Sequence, residues 1–176
     1  MPENEQLEII EEIYAAADDS GRWRALLARI ADHCGAENAS LVAVHEQLPF
    51  GSVIAPRADE GLIMEFGQDG AQRGPTAHVA NRVPAGALMT MEQIGRERFV
   101  ASDYYNEFWQ KLGYGVERLS VNLVADGKGF VNIGLQTYAN RDDFSAESVR
   151  RYMVLVPHLR RSVEIAGKLS QLALKQ

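Results

Sequence analysis

Apolar residues recur every three or four positions over residues 5–17, which is the spacing of one face of an α-helix. Leu7, Ile10 and Tyr14 share this face, and glutamates occupy the outer face. The same spacing returns in the next segment, which is expected to end at Gly35 because glycine tolerates the left-handed backbone of a helix C-cap. The pattern therefore predicts two amphipathic helices at the start of the chain.

Apolar and polar residues alternate in two later stretches, 118–125 and 130–138, which flank Asp-Gly-Lys-Gly at 126–129. Such alternation is typical of antiparallel strands that bury one face and leave the other partly polar. The two glycines supply the positive backbone angles that a tight turn needs. The pattern therefore predicts a β-hairpin with one apolar face and one partly polar face.

The region before this hairpin has a weaker pattern. Residues 39–47 have the composition of a strand, and the segment 50–55 is a candidate to pair with it. Residues 56–101 contain several prolines and glycines, so we expect a connecting region with short helical turns. Ser102 is then the expected N-cap of an aromatic-rich helix that ends at Gly113.

The last element is predicted to be a helix of roughly 30 residues, about 45 Å long at 1.5 Å per residue. Its apolar residues follow the spacing of a heptad seam, namely Val149, Tyr152, Val156, Leu159, Val163, Ala166 and Ala173. Ile165, Leu169 and Leu172 form a second apolar strip in its latter half. Two strips indicate two packing partners, which we expect to be the chain's own core and a second copy of the chain.

This pattern divides the chain into an α/β domain over 1–144, including the N-terminal helices, and a continuous dimerisation and linker helix over 145–176. The two ends differ in charge: residues 1–19 hold seven carboxylates and no Lys or Arg, whereas the last helix segment holds six basic and two acidic side chains. Opposite charge favours their packing together, within one chain or between two, but exposed ion pairs contribute only about 0–1 kcal/mol each. The alternative is that each segment is a helix with a solvated charged face. The candidate dimer interface consists of Leu7, Ile10, Tyr14, Tyr152, Val156, Leu159, Val163 and Ala166.

Composition restricts the class of protein. A chain of 176 residues with 46% hydrophobic residues and a net charge of −6 fits one soluble domain. Its single cysteine excludes an intrachain disulfide framework and a multi-cysteine zinc site. No apolar run reaches the roughly 18 residues of a membrane span, and the acidic first residues lack the layout of a secretion signal. We therefore expect a cytoplasmic protein without a membrane partner.

The sequence offers no pair of residues suited to catalysis and no set suited to binding a metal. Cys34 directly follows His33, but neighbouring residues of a helix point about 100° apart, so they do not face each other as nucleophile and base. A buried thiol is the better interpretation. The histidines lack the spacing of metal ligands, and the glycine pairs lack the strand–loop–helix setting of a phosphate loop. We expect neither an enzyme nor a metal or other cofactor.

Aromatic residues cluster just before the hairpin. A pocket beside a sheet that is closed by aromatic and methionine side chains is a common small-molecule site, and amides on the polar face of the hairpin are suited to orient a ligand. The candidate pocket residues are Met89, Phe99, Tyr104, Trp109, Asn122, Asn132 and Gln136. Alternatively, the aromatic residues seal the sheet as core, an interpretation that is favoured for Phe108 and Trp109.

Several short motifs are spread over nearly the whole chain. They are Ile-Tyr-Ala-Ala at 13–16, Arg-Trp at 22–23, Tyr-Asn-Glu-Phe at 105–108 before Gly113, Arg-Asp-Asp-Phe-Ser at 141–145, and Leu-Val-Pro-His-Leu-Arg-Arg at 155–161. Together they resemble the N-terminal sensory region of bacterial LuxR-family transcriptional regulators, and the last motif is the most specific. The resemblance implies an α+β, PAS- or GAF-like fold in which helices flank an antiparallel sheet, with long N- and C-terminal helices. It also implies a homodimer and a linker to a DNA-binding domain.

Two features of that family are not found. No segment after residue 145 breaks into the short helices of a helix-turn-helix domain, so the chain is expected to be either a fragment or a free-standing relative. The tryptophan, tyrosine and aspartate pattern of the acyl-homoserine-lactone-binding relatives is also missing, so that ligand is not carried over. The first hypothesis is a ligand-sensing, dimerising module in which an unknown small-molecule effector shifts the terminal helices and DNA is reached only through an attached helix-turn-helix domain. The alternative is a structural protein-interaction domain without a ligand.

Overall fold

An antiparallel sheet of five strands forms the middle layer of the described structure. The computed structural model describes residues 2–45, 53–65, 74–80, 82–141 and 143–176. The strands are β1 (Asn38–His45), β2 (Val53–Ile54), β3 (Leu88–Thr90), β4 (Tyr114–Ala125) and β5 (Gly129–Tyr138). They lie in the order β2–β1–β5–β4–β3, so the long hairpin of β4 and β5 occupies the centre.

Three long helices cover one face of this sheet. They are the N-terminal helix (Pro2–Ala15), the second helix (Trp23–Cys34) and the C-terminal helix (Ala146–Leu174). Short helices at Pro75–Ala80, Met91–Ile94 and Arg96–Val100, together with helical residues 60–65, belong to the region that leads to the hairpin. Among the described residues, no helix is both long and apolar enough to cross a membrane.

The hairpin and the α+β class are confirmed. Gly127 and Gly129 have φ angles of 81° and 141°, which only glycine adopts readily. The apolar side chains of β4 and β5, such as Val121 and Ile133, are 0% exposed because they pack under the long helices. The strand expected at 39–47 is observed as β1, while residues 46–47 and 50–52 lie outside the described residues; β3 was not predicted.

The C-terminal helix is continuous and is capped by Ser145, whose hydroxyl accepts a hydrogen bond from the Ser148 backbone. The two terminal helices pack together, as their opposite charges favour: Ser162 Oγ donates to the Ile13 carbonyl at 2.6 Å, and the Tyr14 hydroxyl lies 3.0 Å from His158 Nδ1. Among the described residues of these two helices, no acidic side chain pairs with a basic one across this contact. Instead, Arg29 of the second helix binds the carboxylates of Glu8 and Glu12.

The burial of the heptad seam corrects the predicted placement of the dimer interface. Five of its residues are at most 2% exposed, namely Tyr152, Val156, Leu159, Val163 and Ala166. They are buried by the N-terminal helix, the second helix and the sheet of the same chain, so they are unavailable to a second copy. The exposed apolar residues lie elsewhere: Leu169 and Leu172 of the second strip are 42% and 58% exposed.

Candidate functional site

The face of the sheet opposite the long helices carries a cavity. Its volume is about 80 Å³. One water molecule needs roughly 10–15 Å³ on the same basis, so the cavity has room for several waters or one small organic molecule. Its lining residues are Asn38, Ser40, Val42, Val53, Ala55, Ala58, Ile63, Thr76, Ala80, Tyr104, Phe108, Trp109, Leu112, Tyr114, Arg118, Phe130, Asn132, Gly134 and Gln136.

Strand register places the polar part of this lining in rows across the sheet. Gln136 of β5 pairs with Asn38 of β1 on one side and with Arg118 of β4 on the other. In the next row Gly134 lies between two serines, Ser40 and Ser120. Gly134 has no side chain and lines the cavity, and an added Cβ at this position would lie 3.3 Å from Gln136 Nε2.

The aromatic part of the lining comes from residues Tyr104–Trp109, which form a π-helix instead of the predicted α-helix. The Gln110 N–H bonds to the Tyr105 carbonyl, which is the five-residue step of this helix type. The wider turn directs Tyr104, Phe108 and Trp109 into the cavity. π-Helical segments occur frequently at functional sites. The expected boundaries are confirmed, since Ser102 Oγ accepts from the Tyr105 N–H and Gly113 ends the segment with φ 82°.

Arg118 is the charged residue in this lining, and it is 7% exposed. Its Nη1 donates to Thr76 Oγ1 at 3.1 Å, and its Nη2 donates to Ser120 Oγ at 3.0 Å. Its Nε is buried without a hydrogen-bond partner, and within the described ranges no carboxylate lies within ion-pair distance of the guanidinium. The Glu117 carboxylate accepts a hydrogen bond from the Arg118 backbone N–H and acts on the guanidinium only through its charge. Burial lowers the pKa of Arg118, which is the expected response of a cation that is removed from water.

Tyr104 and Trp109 lie beside this cation. The Arg118 Cζ is 5.8 Å from the centre of the Trp109 ring, a distance at which a cation and an aromatic face attract each other. The Trp109 indole N–H donates to the Gly115 carbonyl at 2.8 Å, so its polar atom is already satisfied and the ring offers apolar surface. Burial raises the pKa of the Tyr104 hydroxyl, and the charge of Arg118 opposes this shift.

The buried amides form two hydrogen-bonded groups. Asn38 Nδ2 donates to Gln136 Oε1, and Gln136 Nε2 donates to Ser40 Oγ, so both polar atoms of the Gln136 amide are used. Asn132 Nδ2 donates to Asn122 Oδ1 at 3.0 Å. The carbonyl oxygen of Asn132 receives no hydrogen bond from the described residues, which makes it a free acceptor in the lining.

The structure places four of the seven predicted pocket residues in the lining: Tyr104, Trp109, Asn132 and Gln136. The other three lie outside it. Met89 and Phe99 are at most 1% exposed because they belong to a separate apolar cluster beneath the aromatic segment. Asn122 is also buried, and its Nδ2 donates to the carbonyls of Ala80 and Val83, so it holds the wall of the cavity in place.

Sequence reasoning missed Arg118, the most unusual residue of the site. The sequence does contain a clue to Arg118. Side chains two residues apart on a strand lie on the same face, so Arg118 must share the face of Ser120 and Asn122. Asn38 and Thr76 were missed for a different reason. They lie far from the hairpin along the chain, and tertiary structure alone brings them to it.

The other reactive groups of the described residues do not line the cavity. Cys34 is buried in the main core as expected, and burial raises the pKa of its thiol to about 12. The described residues contain no cluster of three or more His, Cys, Asp or Glu that could hold a metal ion. The described lining also contains no such residue, so it does not bring a nucleophile and a base together. The arrangement is suited to binding.

No family model matches the chain, and no curated protein matches it. Among solved structures, it is similar to the VqsR LBD domain from Pseudomonas aeruginosa, with a TM-score of 0.66 and 19% sequence identity. The likeness covers 90% of this chain and 94% of that chain. At this identity the comparison shows the fold: an α+β domain with a five-stranded antiparallel sheet and a long C-terminal helix, consistent with the PAS/GAF-like class.

Proposed function

We propose that this chain is the ligand-sensing and dimerisation domain of a transcriptional regulator. The observation that carries the proposal is the cavity on the polar face of the sheet, where Arg118 is buried without a carboxylate partner among the described residues. Two further observations support it: the fold is shared with a domain described as an LBD, and the sequence motifs resemble LuxR-family sensory regions. DNA would be reached through a helix-turn-helix domain attached to the C-terminal helix.

The central strands give a physical route from the cavity to the terminal helices. Asn132 and Gly134 face the cavity, while Ile133 between them faces the long helices. The Tyr152 hydroxyl of the C-terminal helix donates to the Ile133 carbonyl at 2.7 Å. A ligand that binds one arrangement of β5 more tightly than another therefore biases the position of this helix, by the difference between the two affinities.

The test of ligand sensing uses three probes that share a benzene ring and a short chain but differ in charge: phenylacetate, phenylacetamide and 2-phenylethylamine. Two-dimensional NMR of the ¹⁵N-labelled chain is expected to show shifts of the Trp109 indole N–H with at least one probe, followed by shifts in the C-terminal helix. A Gly134→Val variant adds apolar bulk to the lining of the cavity and should abolish these shifts. Tyr138→Val changes an exposed residue of the same strand and should leave them intact.

If none of the three probes shifts signals around the cavity, ligand sensing at this site is refuted. The chain is then better described as a structural protein-interaction domain. If the cavity signals shift but those of the C-terminal helix do not, the cavity binds ligands without transmitting a signal, and the regulatory part of the proposal fails.

Dimerisation is the second part of the proposal, and the exposed apolar strip is its expected surface. Leu169 and Leu172 lie on the last turns of the C-terminal helix, and Leu7 of the N-terminal helix is 59% exposed. We propose that a second copy of the chain covers these residues, because isolated exposed leucines are common but a helical strip of them indicates a partner.

Sedimentation equilibrium at high micromolar concentration tests this surface. The wild type is expected to be a dimer, and the double variant Leu169→Glu/Leu172→Glu a monomer whose far-UV circular dichroism still shows a folded chain. Val154→Glu alters a residue of the same helix that is 36% exposed but outside the strip, so it should leave the mass unchanged. A monomeric wild type, or a double variant that remains dimeric, would contradict the proposal.

A further inference from the structure

Arg118 brings a positive charge into the cavity and keeps part of its hydrogen-bonding capacity unused. A guanidinium has five N–H donors, and the two hydrogen bonds to Thr76 and Ser120 use two of them. Both partners are neutral hydroxyls. The buried Nε–H has no acceptor in the described part of the chain. Three of the five N–H donors of the guanidinium therefore have no acceptor among the described residues.

Burying a cation without a negative partner is unfavourable, because the interior does not replace the hydration that the charge loses. Buried arginines are normally paired with carboxylates for this reason. The attraction of the Trp109 ring offsets only part of the loss. A cation in this state is suited to a negative charge that arrives from outside the chain.

The rest of the lining indicates what such an anion is attached to. Phe108, Trp109, Leu112 and Phe130 offer apolar surface, and the Trp109 N–H is already bonded to the backbone. The carbonyl oxygen of Asn132 is a free acceptor on the polar face. The described lining therefore combines one cation, neutral polar groups such as the Asn132 amide and the Tyr114 hydroxyl, and an apolar, largely aromatic wall.

We propose that the cavity binds a small organic monoanion, whose carboxylate lies on the guanidinium of Arg118 and whose apolar or aromatic body packs against Trp109 and Phe108. A planar carboxylate matches the fork of an arginine with two parallel hydrogen bonds, and one negative charge balances the one positive charge of the site. This inference rests on the proposed function, since it names the chemical class of the effector.

The experiment compares the affinities of the same three probes for the full chain by calorimetry or NMR titration. Phenylacetate and phenylacetamide have the same shape and differ in charge, so their ratio isolates the effect of the carboxylate. Hydrogen bonds to charged groups contribute more free energy than hydrogen bonds between neutral groups. The difference corresponds to a factor of about ten in affinity. We expect phenylacetate to bind at least about tenfold more tightly than phenylacetamide on this ground, and 2-phenylethylamine to bind most weakly. Inorganic phosphate lacks the apolar body and should bind more weakly than phenylacetate.

Variants of Arg118 identify the source of this preference. Arg118→Met keeps the length and apolar stem of the side chain and is expected to reduce phenylacetate binding to the level of phenylacetamide. Arg118→Lys keeps the charge but not the fork, so an intermediate preference is expected. Arg98→Met is the control, because Arg98 is exposed and outside the cavity; it should leave all three affinities unchanged.

The outcomes separate this inference from the proposed function. If phenylacetamide binds the wild type as tightly as phenylacetate, the monoanion proposal is overturned although the cavity still binds ligands. If Arg118→Met keeps the preference for phenylacetate, another group provides the recognition and the proposal is likewise overturned. The wild-type comparison decides the question even if the methionine variant fails to fold. If no probe binds, the proposed ligand-sensing function itself is refuted.

Discussion

Replacing Asn122 with alanine should destabilise the wall of the cavity without removing a residue that contacts the ligand. Asn122 is 1% exposed, and its side chain takes part in three hydrogen bonds. Its Nδ2 donates to the carbonyls of Ala80 and Val83 at 2.7 and 3.1 Å, and its Oδ1 accepts from Asn132 at 3.0 Å. The first two bonds attach the end of the short helix Pro75–Ala80 and the following Val83 to β4.

The magnitude follows from these three contacts. A buried hydrogen bond contributes about 1 kcal/mol net, so their loss lowers the free energy of unfolding by about 3 kcal/mol. The partner groups are then left unsatisfied in the interior, which makes this value a lower bound. For a domain of this size, about 3 kcal/mol corresponds to a fall of roughly 6–12 °C in the unfolding midpoint.

Urea unfolding followed by far-UV circular dichroism measures the free energy, and hydrogen exchange locates the change. Protection is expected to fall around Ala80 and Val83. The matched control is Asn106→Ala: the Asn106 Nδ2 also donates to two backbone carbonyls, but Asn106 is exposed and water can replace it. Its loss should stay within about 0.5 kcal/mol. A double-mutant cycle with Asn132→Ala isolates the bond between the two amides, expected at about 1 kcal/mol.

Equal effects of Asn122→Ala and Asn106→Ala would refute the argument, because they would show that water reaches the buried amide. A loss below about 1 kcal/mol for Asn122→Ala would have the same meaning. A variant that keeps its stability but loses the binding of all probes would restore Asn122 as a ligand contact.

Three further predictions concern the core, the hairpin and the thiol. Leu159→Ala should lower the free energy of unfolding by about 2–5 kcal/mol, because Leu159 is 0% exposed. Leu174→Ala, at an 84% exposed position, should change it by less than about 0.5 kcal/mol. Similar losses for the two variants in urea titrations would contradict the burial of the seam. Gly129→Ala should unfold the hairpin or markedly lower the unfolding midpoint, because the added Cβ would lie 1.8 Å from the Val44 carbonyl oxygen; a wild-type midpoint would refute this. Burial raises the pKa of Cys34 to about 12, so only about one thiol in ten thousand is ionised at pH 8. Iodoacetamide should therefore label Cys34 in urea but not in the native chain. Rapid labelling of the native chain would show that the thiol is accessible.

Local patterns in the sequence predicted the elements whose signals lie within one segment. The hairpin was found because alternation and the Asp-Gly turn occur within 21 consecutive residues, 118–138. The C-terminal helix was found because its cap and its apolar spacing are continuous along the chain. β3 was missed because it has only three residues, too few for a period to be visible. The π-helix was missed because its aromatic residues also fit ordinary helical spacing.

The sequence by itself determined which faces of the elements avoid water: the apolar face of the hairpin and five of the seven residues of the heptad seam are buried. Only the tertiary structure decided what covers them. The spacing of apolar residues shows which face of a helix is buried. It does not show whether a helix of the same chain or one of a second copy buries it, because both provide the same apolar environment. Arg118 shows the same limit for a polar residue. Its charge is visible in the sequence, but its removal from water is not. That burial depends on Thr76, Trp109 and other neighbours, which are distant along the chain and meet only in the folded structure.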